Sequence, residues 1–145
     1  PERFLQPTCF KEIDALGDIY QTLLHGVLTD YPTLHILVHG YDYIIPLEST
    51  REGWLGRYMI EKGIEHQADR KAVVDLIIDR FNTMLGRIAA KFPNVHYIDL
   101  RGTVRADLWW DEIHPNSQGF QDVAIKFQQK IDELRKPGPG KSRGK

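Results

Sequence analysis

Apolar positions recur every three or four residues from Phe10 to Leu28, through Ile13, Leu16, Ile19, Tyr20, Leu23, Leu24 and Val27. That period puts them on one stripe of a helix, so the spacing predicts an amphipathic helix over 8–30, with Thr8 as its N-cap and Pro32 beyond its end. Leu34 to Val38 is almost wholly apolar and β-branched or leucine-rich. It reads as a strand covered on both faces. The pattern then breaks from His39 to about Asp69, a stretch rich in glycine and aromatics, where a loop with short helices of its own is expected. Helical spacing returns over 69–92, with Val73, Leu76, Ile77, Phe81, Leu85, Ile88 and Phe92 inward and Pro93 as the stop. Residues 95–100 form a second strand. A last helix over 117–135 is expected to bury Phe120, Val123, Ala124, Phe127, Ile131 and Leu134.

Helix, strand, helix, strand, helix is the order of an α/β chain whose parallel strands are joined by helical crossovers, with helices on both faces. Two strands are few for such a sheet. Either the 39–69 stretch adds strands or a segment outside these residues completes it. The domain is expected to occupy 1–135, followed by a basic Pro/Gly tail, 136–145, expected to be disordered.

Composition narrows the functions open to the chain. Of its 145 residues 41% are hydrophobic and 27% charged, enough for one core and one domain. The net charge is −1, and the cations without acidic neighbours sit in the tail, so no nucleic-acid-binding face is expected. Cys9 is the single cysteine, which rules out an internal disulfide and a Cys-rich zinc site. No apolar run approaches a membrane span, and the opening PERFLQPTCF does not read as a signal peptide, so the sequence assigns no compartment.

The chemistry concentrates in Asp111-Glu112-Ile113-His114-Pro115-Asn116, followed by Gly119 and Phe120. An acid three residues before a histidine can lie on the same side of one turn and accept the imidazole Nδ1 proton. That sets the tautomer and leaves Nε2 free to take a proton from a nucleophile. Asn116 or Ser117 can cap the helix that follows. Taken alone, the spacing also fits a surface turn with an incidental histidine. His39 and Asp42 follow the first strand, at the end where open α/β sheets bind ligands. Asp42 there can orient a loop or a substrate hydroxyl, or make local turn hydrogen bonds. Trp54, Trp109 and Trp110 can line an apolar acyl pocket or simply pack, and Trp110 is taken as a substrate-binding candidate beside His39 and Asp42. Of His96 and Tyr97, which alternate on a strand, one faces the helices. No close-spaced ligand set occurs, so no metal is assigned.

The block D-x-x-H-P-N-x-x-G-F ahead of a C-terminal amphipathic helix resembles the last motif of SGNH/GDSL-type serine hydrolases. Phe81-Asn82-x-x-Leu85 and the run Phe92-Pro93-Asn94-Val95-His96-Tyr97-Ile98-Asp99-Leu100 resemble the helix and strand before that motif, and His39-Gly40-Tyr41-Asp42-Tyr43 resembles the end of the preceding strand in one bacterial branch. The resemblance covers residues 8–135. It implies a three-layer, flavodoxin-like α/β/α fold and cofactor-independent hydrolysis of an ester, on an acylated small molecule or carbohydrate. His114 would be the catalytic base and Asp111 its orienting acid. The family's Gly-Asp-Ser nucleophile is not here: the serines are Ser49, Ser117 and Ser142, and none follows Gly-Asp. Gly40-Tyr41-Asp42 does not supply the family's oxyanion asparagine, because an ionised aspartate cannot donate a hydrogen bond. The nucleophile and oxyanion blocks are therefore expected upstream of Pro1, with the chain by itself inactive. A chain lacking those blocks is expected to form a homodimer or to pair with the missing segment. The alternative is a non-catalytic α/β domain acting in self-association or partner binding.

Overall fold

The structure, a computed structural model, describes residues 1–48 and 53–136. Ser49 and the tail beyond Lys136 lie outside the described residues. A one-turn 3-10 helix at Glu2–Phe4 precedes helix α1, Thr8–Asp30. Thr8 is the first helical residue and not the cap; Pro7 occupies the N-cap position and no side chain caps the helix. Strand β1 is Ile36–His39, helix α2 Gly56–Glu61, helix α3 Gln67–Ala89 and strand β2 Val95–Ile98. A second 3-10 turn at Ala106–Leu108 leads to helix α4, Ser117–Arg135. This is an α/β chain with a two-stranded parallel sheet, Ile36 opposite Val95 and His39 opposite Ile98. The described part of the 39–69 stretch adds a short helix, α2, and no strand.

Alternation along the strands divides their side chains between two faces. Ile36, Val38, Val95 and Tyr97 point to one, where they pack with Tyr20, Leu24 and Leu28 of α1 and Ile88 and Ala89 of α3. His39 points to the other and meets the Phe127 ring of α4 edge-on, centroids 5.3 Å apart. His96 also turns away from the Tyr97 face and pairs with His35, ring nitrogens 2.8 Å apart. A second core cluster lies beyond the carboxyl ends of the strands. Ile44, Val74 and Ile78 pack there with Tyr43, Leu55, Met59, Trp109 and Ile113. It seats the long loop and the Asp-x-x-His turn on α3.

Several expected core positions are not core. On α1, Leu16, Ile19 and Leu23 are exposed, because α3 covers only the arc through Gly17, Tyr20 and Leu24. On α4, Phe120 is 54% exposed and Ala124 is exposed, while Val123, Phe127, Ile131 and Leu134 are only half-buried. Nothing among the described residues lies over that helix's outer apolar arc. On α3 the fully buried line runs through Arg70, Val74, Ile78, Asn82 and Leu85, with Leu76 and Ile77 half-buried. That helix serves both clusters, so its buried arc is wider and shifted. Strand β1 is half-buried, not covered on both faces, and Leu34 and His35 precede it. No helix among the described residues is long and apolar enough to cross a membrane.

Candidate functional site

The turn that carries the candidate pair is closed by its own backbone. Trp109 and Pro115 form an antiparallel bridge, the Trp110 N–H donates to the His114 carbonyl at 2.8 Å, and the Asn116 N–H donates to the Leu108 carbonyl at 2.8 Å. Asn116 then caps α4: its Oδ1 accepts from the N–H groups of Gln118 and Gly119 at 3.0 and 3.1 Å. Gly119 is required by close approach, since a Cβ there would stand 2.8 Å from the Pro115 Cβ and 3.0 Å from the Leu108 carbonyl oxygen. The H-P-N-x-x-G spacing is thus a turn pinned to a helix start.

Within that turn Asp111 and His114 meet. Asp111 Oδ2 lies 2.8 Å from His114 Nδ1, while Oδ1 accepts from the N–H groups of Ile113 and His114 at 2.8 and 2.7 Å. An ionised carboxylate can only accept, so Nδ1 is the donor and Nε2 carries the lone pair. Burial pushes the Asp111 pKa up, but the hydrogen bonds from the His114 ring and from the two backbone N–H groups outweigh it and hold the carboxyl below its ordinary value. The acid is sheltered, its side chain 14% exposed, and the imidazole is open at 52%. Nε2 has no hydrogen-bond partner among the described residues. Ser117, the first residue of α4, makes no hydrogen bond to it. The Tyr41 hydroxyl donates to the Ile113 carbonyl, and burial, then the Asp111 charge, push its pKa up.

The structure gives the other candidates different surroundings. Asp42 is buried, and its oxygens are taken by backbone donors: Oδ1 by Tyr43 and Gly102 at 2.6 and 2.5 Å, Oδ2 by Val104 at 2.6 Å. Of the roles open to it, the geometry displays both the local hydrogen bond, from Tyr43, and the orienting of a loop, 102–104. His39 donates from Nδ1 to the Gly40 carbonyl at 2.8 Å. It borders a small cleft of about 90 Å³ with Leu100, Val104, Trp109, Pro115 and Phe120. Neither His39 nor Asp42 hydrogen-bonds to Asp111 or His114. Trp110 is 78% exposed and Trp54 59%, with the Trp54 ring edge-on to His114 at 6.4 Å; Trp109 lines the cleft. No group of three or more His, Cys, Asp or Glu among the described residues is arranged to hold a metal ion.

Sequence reasoning passed over two buried polar residues that build the site. Glu112 is fully buried; Oε1 accepts from Leu47 and Gly56 at 2.6 and 2.8 Å and Oε2 from Leu55 at 2.6 Å. It ties both ends of the loop that carries Trp54 to the Asp-x-x-His turn. Gly56 leaves room for this, because a Cβ there would lie 1.8 Å from the Leu47 carbonyl oxygen. The available signal was alternation: with Asp111 turned toward His114, its neighbour turns inward. Asn82, also fully buried, donates to the Tyr41 and Ile78 carbonyls at 2.9 and 2.8 Å and accepts from the Tyr97 hydroxyl at 2.5 Å. It joins α3 to both strand ends. No protein-family model, curated protein or solved structure matches the chain.

Proposed function

We propose that residues 1–135 form part of an SGNH/GDSL-type serine hydrolase with a three-layer, flavodoxin-like α/β/α fold, and that Asp111 and His114 are its orienting acid and general base. The observation that carries this reading is the 2.8 Å contact between Asp111 Oδ2 and His114 Nδ1 beside an open imidazole. In the proposed reaction Nε2 takes the proton of a serine hydroxyl as that oxygen attacks the ester carbonyl. The imidazolium, held by Asp111, then protonates the departing alcohol, and water repeats the sequence to release the acid. The serine and the oxyanion donors belong to a segment outside these residues. The substrate is an ester of an acylated small molecule or carbohydrate, and the reaction uses no metal or organic cofactor.

The test compares two proteins. The chain alone is expected to leave p-nitrophenyl acetate at the background rate and to resist labelling by a fluorophosphonate. Protein translated from the reading frame continued upstream of Pro1 is expected to hydrolyse it, and His114→Ala is expected to lower kcat by about 10,000-fold. Labelling of the isolated chain at Ser49, or a longer protein whose rate ignores His114, would overturn the reading.

A second reading has its own observation. Leu16, Ile19 and Leu23 form an exposed apolar line on α1, and among the described residues each strand of the sheet keeps an unpaired edge. Such surfaces favour pairing with another copy, with the missing segment or with another protein.

A further inference from the structure

The Ile113–His114 peptide group is held at both of its ends. Its N–H, on His114, donates to Asp111 Oδ1 at 2.7 Å, and its carbonyl, on Ile113, accepts from the Tyr41 hydroxyl. Among the described residues that carbonyl has no other donor. A peptide group is a rigid plane, so its two ends turn together. If the carbonyl swings, the N–H leaves Asp111. The carboxylate then loses one of the two backbone donors that aim its Oδ2 at His114 Nδ1, 2.8 Å away. Hydrogen bonds at the two ends of one peptide also polarise each other, so the hydroxyl strengthens the bond to Asp111.

Tyr41 is itself anchored to the core. Its carbonyl accepts from Asn82 Nδ2 at 2.9 Å, and Asn82 Oδ1 accepts from the Tyr97 hydroxyl at 2.5 Å. Asn82 is fully buried, and a Cβ at Gly40 would stand 2.0 Å from its Oδ1, so only glycine lets the end of β1 sit this close. Burial and then the Asp111 charge push the Tyr41 pKa up, which keeps the phenol in its donating form at neutral pH. We propose that Tyr41 is the positioning residue of the Asp111–His114 pair: through the Ile113–His114 peptide it fixes the carboxylate against Nδ1, and so sets which ring nitrogen keeps the lone pair. The effect on the pair stands on this geometry, while its consequence for a rate rests on the hydrolase reading. The run from His39 to Tyr43 thus acts at the turn through a tyrosine hydroxyl, with Gly40 making the room and Asn82 holding the backbone.

The test reads the His114 ring itself, by NMR on the chain labelled with ¹⁵N-histidine, its signals identified by His114→Ala. In the parent the neutral ring is expected in one tautomer, with Nδ1 protonated and that proton slow to exchange with water. Tyr41→Phe keeps the ring and removes one oxygen. It is expected to speed the exchange about tenfold and to let the second tautomer appear. Tyr43→Phe is the control, because it deletes a hydroxyl two residues on that donates to Asp79 at 2.7 Å, and the His114 ring is expected to stay as in the parent. In the protein continued upstream of Pro1, Tyr41→Phe is expected to lower kcat about tenfold at an unchanged KM. A His114 ring that ignores Tyr41→Phe, an equal response to Tyr43→Phe, or a chain that Tyr41→Phe unfolds would each overturn the role, the last two because the hydroxyl would then support the fold at large. A ring that responds, in a longer protein that hydrolyses no ester, would keep the positioning role and remove the hydrolase. An active longer protein whose ring ignores Tyr41→Phe would remove the role alone.

Discussion

Glu112 is the residue on which the site's architecture turns. Its buried carboxylate accepts from three backbone N–H groups, the one on Gly56 itself buried. Glu112→Gln would replace one accepting oxygen with an NH₂ group facing a backbone donor, at a cost of about 1–3 kcal/mol. Urea unfolding should show that loss, and hydrogen exchange should quicken at Leu47, Leu55 or Gly56. An unchanged midpoint would mean the loop is held by something else. Asp111 makes a pH-dependent contribution. Its folded pKa lies below the ordinary 3.8. A depressed carboxyl stabilises the fold above its unfolded value, and that stabilisation is lost as the pH falls through the folded value. Asp111→Asn should therefore be less stable than the parent at about pH 7, with the gap narrowing as the pH falls below 3.8 and through the folded value. A gap that stays constant across that window would show that the hydrogen bonds do not depend on the charge.

At the scale of elements, α3 is the helix that joins everything and α4 the one that is least covered. Leu85 on α3 is 1% exposed, whereas Phe120 on α4 is 54% exposed. Leu85→Ala should cost about 2–5 kcal/mol through the cavity it leaves. Phe120→Ala in the same chain should cost less than about 1 kcal/mol, as a surface change does. Equal losses, measured by chemical denaturation, would mean that α4 is buried in solution by another copy. Asn82 belongs to this scale as well, since it fastens α3 to the carbonyl after β1 and the tyrosine of β2. Its role follows from a helix position that faces two strand ends at once, which no periodicity along one helix reveals.

For the whole molecule the second proposed reading makes association the expected outcome. The exposed leucines and isoleucine of α1, the outer arc of α4 and the strand edges left unpaired among the described residues share one 16.8 kDa chain. Light scattering at rising concentration should report a mass above that of one chain, and charge placed at Ile19 and Leu23 by Ile19→Lys and Leu23→Lys should lower it. A single mass of 16.8 kDa at every concentration would show that these faces do not pair.

Periodicity alone was enough for the helix and strand order, because three- and four-residue spacing and short β-branched runs are properties of consecutive residues. It placed α4 at 117–135 and α1 at 8–30, the bounds observed. The Asp111–His114 contact was legible for the same reason: both groups lie within one turn, so local geometry decides their meeting. Burial was not legible. A stripe says which side of a helix prefers a partner, and Leu16, Ile19, Leu23 and Phe120 show that a preference is met only where a neighbouring element arrives. The roles of Glu112, Asn82 and Asp42 were also decided by tertiary structure. Each has a backbone partner at least 41 residues away. Such pairings depend on which N–H and C=O groups folding leaves unpaired in the interior, and that is settled only when distant segments pack.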